Sequence, residues 1–116
     1  MAFLRNATSG AIIATRVERA NNFIERAIGL LGRSRVRPDE GLWFAKCSAI
    51  HTLGMKITID VIFVDAKGHI LKLIGNVRPG LWSVSCRGAR DVIELGGGAL
   101  RECDLMPGDR LELVSA

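Results

Sequence analysis

The sequence contains no tyrosine, and its other aromatic residues are only two tryptophans and four phenylalanines among 116 positions. Proteins that bind single-stranded nucleic acids stack the bases on aromatic side chains, so this scarcity argues against such a surface. Cysteine is scarce too. Cys47, Cys86 and Cys103 are an odd number at wide spacing and form no C-x-x-C pair. We therefore expect reduced, partly buried thiols and no disulfide framework.

The chain also lacks a long hydrophobic run. Spanning a bilayer takes roughly 18 apolar residues, and the best candidate, residues 61–64, lies between Asp60 and Asp65. Near the N-terminus, the apolar residues 11–14 fall short of the roughly 7–15 residues of a secretory signal. We therefore expect a cytoplasmic protein that makes no membrane contact.

Motifs for metal, phosphate and acyl-transfer chemistry are missing as well. Cys47 and His51 are four residues apart, which would offer two metal ligands on a helix, but this segment has an extended pattern. The chain contains no G-x-S-x-G turn and no glycine-rich phosphate motif. We expect no metal site and no cofactor.

The overall composition is that of an ordinary globular domain, with 48% hydrophobic and 24% charged residues. A chain of this length buries roughly two thirds of its unfolded surface, which predicts a single domain over residues 1–116. The formal net charge is +4, and arginines are concentrated in the first third. A solvated basic face explains them, and weak nucleic-acid binding is the alternative. These arginines are Arg5, Arg16, Arg19, Arg26, Arg33, Arg35 and Arg37.

Short extended segments dominate the sequence. Residues 10–17 are rich in β-branched side chains and predict a strand. Residues 61–64 are apolar without a break, which is typical of a central strand covered on both faces. The turn Asp65-Ala-Lys-Gly68 then predicts a hairpin with residues 69–74. Further strands are predicted over residues 41–46, 48–52, 83–86, 92–95 and 110–114.

Two short helices complete the predicted secondary structure. Asn21 or Asn22 is expected to cap a helix that runs to about Leu31 and ends at Gly32, and a helical turn is expected over residues 99–103. The fold class that follows is mainly β, a small β-sandwich or barrel-like domain of about seven short strands with two short helices.

Three segments carry a family resemblance: Cys-Ser-Ala-Ile-His-Thr-Leu-Gly-Met at 47–55, Ile-Asp-Val-Ile-Phe-Val-Asp at 59–65, and the end of the predicted helix at 26–33. With Val-Ile-Glu-Leu at 92–95, they make the chain similar to the prokaryotic family called domain of unknown function 192 over residues 11–114. The resemblance implies a compact β-sandwich-like domain with no established activity.

The chain departs from that family's pattern at two places. Thr58 stands where the family often has proline, and Gly96-Gly97 stand where proline and alanine are common. The first departure is expected to relax the entry to the central strand. The second is expected to loosen the loop before the last helical turn.

Polar residues gather in one part of the matched region, and they define the candidate ligand-binding site. His51, Thr52, Met55 and Asp60 lie within ten residues, and Asp60 interrupts an apolar strand. A buried carboxylate must be hydrogen-bonded or face a cavity. One interpretation has His51 and Asp60 lining a pocket; the other has Asp60 accepting backbone amides and His51 bonded to a carbonyl.

Arg26 is the fifth candidate site residue, because it lies in the matched helix segment. We expect it to pair with a carboxylate such as Asp60 or Glu94. Trp82 follows Pro79-Gly80-Leu81 on a turn, and two placements compete for it: a core position, or an exposed platform for a sugar ring or a partner chain.

The function that these residues favour is a small-ligand or partner-binding module with a polar pocket around the His-Thr-x-Gly-Met segment. The alternative is a small-molecule hydrolase or isomerase that uses His51 as general acid and base. Weak nucleic-acid binding through the N-terminal arginines is a third possibility, and the scarcity of aromatic residues argues against it. The partner is an unknown small molecule or protein, and both a monomer and a homodimer fit the sequence.

Overall fold

A computed structural model describes residues 2–20 and 35–115 of the chain. Over these residues the fold is mainly β, as predicted, and the one helical element is a 3-10 turn at Ala99–Arg101. The helix predicted to end at about Leu31 lies outside the described residues. The strands are β1 (Ala2–Asn6), β2 (Ile12–Ala20), β3 (Glu40–Phe44), β4 (Ala49–Ile50), β5 (Ile59–Val64), β6 (Ile70–Val77), β7 (Val84–Ser85), β8 (Asp91–Gly96) and β9 (Leu111–Ser115).

Seven of these strands form one mixed sheet in the order β6-β5-β8-β3-β2-β1-β9, and β4 pairs with β7 in a separate two-stranded sheet. β2 and β3 are parallel, and the other pairs are antiparallel. The two edges of the large sheet meet where His69 forms a bridge with Arg110. Next to this bridge, the amide of Leu111 donates to the carbonyl of Gly68 at 2.9 Å. The sheet therefore curls towards a barrel.

The predicted hairpin between β5 and β6 is confirmed. The Oδ1 atom of Asp65 accepts hydrogen bonds from the amides of Lys67 and His69, both at 2.9 Å. Gly68 has φ 87°, a conformation that favours glycine. Backbone hydrogen bonds, first that of His69, hold the pKa of Asp65 below its ordinary value.

β1 is an element that the sequence analysis did not predict. It pairs with β2 on one side and with β9 on the other, where Phe3 lies opposite Val114. Leu4 and Asn6 point into the buried interior of the sheet. Its pairing with β2 is a local hairpin in which the amide of Gly10 donates to the carbonyl of Asn6, whereas its pairing with β9 joins residues more than a hundred positions apart.

Two apolar clusters cover the two faces of the central strands. Ile62 and Val64 belong to the cluster inside the curled sheet, whereas Val61 and Phe63 belong to the cluster on its outer face. Alternate residues of a strand point to opposite faces, so β5 needs apolar residues at every position. The prediction of a central strand covered on both faces is confirmed.

No helix within residues 2–20 and 35–115 has the length and apolar run needed to cross a membrane. All three cysteines are free and partly buried.

Candidate functional site

The His-Thr-x-Gly-Met segment forms a loop on the outer face of the sheet. β4 leads into it, and the pairing of Ile50 with Val84 in β7 fixes its start. If this antiparallel register is continued by one residue, His51 lies opposite Ser83. Gly54 has φ 81°, which allows the loop to reverse direction. The loop therefore runs beside the turn that precedes β7.

Thr52 joins the two loops through four hydrogen bonds. Its hydroxyl donates to the carbonyl of Arg78 at 2.8 Å and accepts from the amide of Leu81 at 2.9 Å. Its own amide donates to the carbonyl of Leu81 at 2.9 Å, and its carbonyl accepts from the amide of Gly80 at 2.8 Å. Thr52 is fully buried, so the hydroxyl is satisfied within the protein and positions the second loop.

The side chains that flank Thr52 across this junction are exposed. His51, Arg78 and Ser83 lie at the surface, and the side chain of Trp82 is 82% exposed. Of the two placements weighed for Trp82, the exposed one is therefore correct. The other tryptophan, Trp43, is buried and donates from Nε1 to the Oδ2 atom of Asp91 at 2.9 Å.

Met55 forms the floor of this loop pair. It is 8% exposed and packs in the outer cluster with Ile50 and Val77. Leu81, next to Trp82, packs against the same cluster. The loops that carry His51 and Trp82 are thus anchored on one apolar base, and their polar and aromatic side chains stand above it.

Asp60 lies on the other face of β5 from Met55. It shares its face with Ile62 and Val64, and its two oxygens accept hydrogen bonds from the amides of Asn76 at 2.9 Å and Leu100 at 2.8 Å. These bonds tie β5 to β6 and to the 3-10 turn. Of the two interpretations of Asp60, the one in which it accepts backbone amides describes its contacts. Three of the five predicted site residues, His51, Thr52 and Met55, come together; Asp60 lies apart from them, and Arg26 lies outside the described residues.

Glu94 is a buried acid that the sequence analysis named only as a partner for Arg26. It is 5% exposed in the middle of β8, and burial raises its pKa to about 7. The signal that could have found it is the same one that marked Asp60, a carboxylate inside an apolar strand.

The chemistry available to a thiol or to a metal near His51 is limited. Burial is the main cause that raises the pKa of Cys47, and its Sγ donates to the carbonyl of Ala49 at 3.0 Å. A raised pKa disfavours the thiolate that nucleophilic catalysis needs. Across the described parts of the chain, no three His, Cys, Asp or Glu side chains converge as metal ligands.

Two of the N-terminal arginines already have partners. The guanidinium of Arg19 lies 5.3 Å from the ring centroid of Trp43, and the Nε atom of Arg37 lies 3.1 Å from Asp39. A hydrogen bond from Thr15 is the first cause that lowers the pKa of Asp39. Contacts within the protein therefore explain the positions of these two arginines, and no bound ligand is needed to explain them.

Gly96 and Gly97 allow close backbone packing at one end of β8. A Cβ at Gly96 would overlap the carbonyl of Arg37, and one at Gly97 would lie 2.9 Å from the hydroxyl of Thr58. Thr58 and Gly97 are the positions where the chain departs from the family pattern, so the two departures face each other.

The fold and the loop pair define a small mainly β domain with an exposed aromatic loop on its outer face. The profile of the domain of unknown function 192 family, described as uncharacterized ACR, matches residues 4–113. The chain belongs to this family.

Two archaeal proteins with similar sequences agree with that assignment. A UPF0127 protein of Pyrococcus furiosus is 32% identical over 113 residues, with 92% of this chain and 94% of that protein covered. A UPF0127 protein of Pyrococcus abyssi is 31% identical over 106 residues, with 86% and 87% covered.

Two crystal structures share the fold. A protein of Sinorhizobium meliloti, provisionally described as a transcription regulator, superposes with a TM-score of 0.79 at 27% identity, with 97% of this chain and 91% of that chain covered. A protein of unknown function from Novosphingobium aromaticivorans gives a TM-score of 0.77 at 23% identity, with 97% and 84% covered.

Proposed function

We propose that this protein is a non-catalytic binding module that takes a small ligand with a flat face, such as a sugar ring, on the surface formed by His51 and Trp82. The observation that carries the proposal is the 82% exposure of the Trp82 side chain on a loop that Thr52 holds in place. Exposed indoles are costly to hydrate and provide a flat apolar face with one polar N–H.

Preorganisation supports the same conclusion. A ligand that binds a mobile loop must also restrain it, and this requirement weakens binding. Here the backbone of residues 80 and 81 is hydrogen-bonded to Thr52, and Leu81 is packed on the outer cluster. The indole is therefore presented from a fixed base, and the exposed His51 of the neighbouring loop is available as a hydrogen-bonding group.

Ligand-observed NMR with sugar, nucleotide and carboxylate pools tests this proposal. We expect hits that are lost in Trp82→Ala and weakened in His51→Ala, whereas Met106→Ala, which removes another exposed apolar side chain, leaves them unchanged. Ligands that still bind both Trp82→Ala and His51→Ala would contradict the assignment of this surface as the binding site.

Catalysis by His51 stays a prediction, and the placement of Cys47 and Asp60 adds nothing to it. Nucleic-acid binding is favoured by one observation, the provisional description of the Sinorhizobium relative as a transcription regulator. An affinity for duplex DNA that falls steeply with salt and that drops in Arg16→Gln would support it.

We also place the protein in the cytoplasm. Its three free cysteines support this proposal because reduced thiols persist in a reducing compartment.

A further inference from the structure

Positive charge is concentrated in two segments of the chain that contain no acid. Residues 46–59 and 66–90 hold seven of the 16 lysines and arginines and none of the 12 aspartates and glutamates. The rest of the chain is therefore negative overall, and these two segments make the protein basic. Their lysines and arginines are Lys46, Lys56, Lys67, Lys72, Arg78, Arg87 and Arg90.

The fold packs the two acid-free segments side by side on the outer face of the sheet. β4 of the first segment pairs with β7 of the second. Ile50 and Met55 of the first segment and Val77 of the second belong to the same outer cluster. Residues that are distant in the sequence thus share one side of the molecule, and this side includes the loop pair that carries His51 and Trp82.

The acids that border these segments in the chain are bound within the fold. Both oxygens of Asp60 accept backbone amides, and Asp65 accepts two amides of its own hairpin turn. Asp91 accepts from the indole of Trp43 and from the amide of Lys46. These carboxylates therefore serve backbone and indole donors, whereas the side chains of the acid-free segments supply exposed cations.

Arg78 is an exposed cation on the same turn as Trp82. The centre of this turn is Pro-Gly, and Gly80 has φ 86°, as in the third position of a type II turn. The ends of such a turn, here Arg78 and Leu81, have Cα atoms within about 7 Å of each other, and Trp82 follows at once. Thr52 holds both ends, at 2.8 Å and 2.9 Å. The Cα atoms of Arg78 and Trp82 are thus within about 11 Å, close enough for one small ligand to contact both exposed side chains.

The number of exposed aromatic side chains limits the size of the ligand. Within residues 2–20 and 35–115, Trp82 is the one large aromatic side chain that is exposed. Proteins that bind single-stranded nucleic acids stack successive bases on several aromatic side chains, whereas one indole accommodates one ring. A guanidinium binds phosphate and carboxylate groups through paired hydrogen bonds. A single ring with one anionic group matches the two side chains.

On the basis of the proposed function, we propose that the ligand of the surface formed by His51 and Trp82 is an anion. One flat ring stacks on Trp82, and a phosphate or carboxylate group attached to that ring binds Arg78. A nucleoside monophosphate and a uronic acid are two sources of this chemistry. The other cations of the acid-free segments attract anions to this side of the protein and speed their association.

Matched pairs of probes that differ in the anionic group test this inference on the full chain. The pairs are AMP with adenosine and glucuronate with glucose, titrated by ligand-observed NMR. We expect the anionic member of at least one pair to bind at least tenfold more tightly than its neutral partner, with an affinity that falls as salt rises. The pair that shows this preference identifies the ring.

The outcomes separate this inference from the proposed function. Equal binding within both pairs, lost in Trp82→Ala, would overturn the anionic ligand and leave a binding surface for neutral rings. Failure of all four probes to bind would also overturn the anionic ligand. The proposed function would fail with it if the sugar, nucleotide and carboxylate pools gave no hit.

Variants of Arg78 test its role directly. Arg78→Gln removes the guanidinium and keeps the backbone carbonyl that Thr52 binds, so the turn is expected to stay in place. We expect the anionic probe to bind this variant within twofold of its neutral partner, and we expect Arg78→Lys to keep most of the preference. Arg101→Gln, which removes an exposed arginine from the 3-10 turn, is the matched control and should behave as wild type. A full preference for the anion in Arg78→Gln would overturn the inference.

Discussion

The hydroxyl oxygen of Thr52 lies 2.9 Å from the amide nitrogen of Leu81, and the amide of Thr52 donates in turn to the carbonyl of Leu81 at the same distance. This reciprocal contact joins two loops that are almost thirty residues apart in the sequence. It places the exposed indole of Trp82 next to a fixed backbone, and the binding proposal depends on it.

Replacing Thr52 by valine keeps the shape of the side chain and removes the hydroxyl. The carbonyl of Arg78 and the amide of Leu81 then lose their partner, and an unsatisfied buried group costs about 1–3 kcal/mol. We expect the free energy of unfolding in urea to fall by that amount. We also expect faster amide hydrogen exchange at residues 80–82. Ser83→Ala, an exposed change in the same loop, serves as the control, and equal stability of the two variants would contradict a positioning role for Thr52.

Asp60 is expected to affect stability and not ligand binding. Asn at this position offers one acceptor oxygen and presents an NH2 group to the other backbone amide, so the bond to Asn76 or to Leu100 is lost. Hydrogen bonds to charged groups contribute about 1.5–3 kcal/mol, and we expect Asp60→Asn to lose about that much stability. Asp104→Asn, at an exposed site, is the matched control. A hit from the ligand pools that disappears in a folded Asp60→Asn protein would return Asp60 to the binding site.

The stability of the protein should depend on pH through Glu94. Its pKa is raised from 4.5 to about 7 in the folded state, so between these values the folded protein binds more protons than the unfolded chain. The free energy of unfolding of the protein therefore falls as pH rises through this window, by about 3 kcal/mol in all. Glu94→Gln should remove this loss.

Urea unfolding of wild type and Glu94→Gln from pH 4 to pH 8 measures the effect as a difference between the two proteins. Asp39 and Asp65, whose pKa values are lowered, contribute with the opposite sign but equally to both proteins, so they cancel. Glu102→Gln, an exposed change, should follow the wild-type profile. Parallel profiles for wild type and Glu94→Gln would show that the acid is not protonated on folding.

The contact between Thr58 and Gly97 should appear as an energetic coupling. An added Cβ at Gly97 lies 2.9 Å from the Thr58 hydroxyl and 3.1 Å from its carbonyl oxygen, and crowding of this kind costs about 1–3 kcal/mol. We expect Gly97→Ala to cost less when Thr58 is already alanine, because the hydroxyl is then absent. A double-mutant cycle measures the coupling, and additive effects would rule out direct crowding.

The sequence was a good guide at one hairpin and at the central strand, where structure depends on local chemistry. The hairpin at Asp65 and Gly68 follows from turn residues within four positions, and β5 follows from its unbroken apolar run. β1 was missed because one of its two partners, β9, lies at the far end of the chain, and because the turn over residues 6–11 that joins it to β2 was not recognised as a hairpin. Residues that act through distant neighbours cannot be recognised from spacing alone.

In the candidate site, too, local residue types could be recognised from the sequence, whereas contacts with distant residues could not. The loop from His51 to Met55 was singled out by its residue types, but of its three predicted site residues Thr52 and Met55 are buried and only His51 is exposed. The sequence did not predict the positioning role of Thr52, because its hydroxyl is hydrogen-bonded to residues 26 and 29 positions away. Asp60 and Glu94 gave the same signal in the sequence, and only the contacts around each acid distinguish a carboxylate bound by backbone amides from one flanked by Val61 and Leu42.

Fluorescence of Trp82 is the most direct measurement of ligand binding at the loop pair. Trp43→Phe leaves Trp82 as the single tryptophan, and the indole is then read without the signal of the buried ring. We predict that a sugar, nucleotide or carboxylate hit from the ligand pools changes the emission of this variant in a saturable way, with the same dissociation constant as in ligand-observed NMR. An unchanged emission at concentrations where NMR shows binding would contradict the assignment of Trp82 as the ligand's contact.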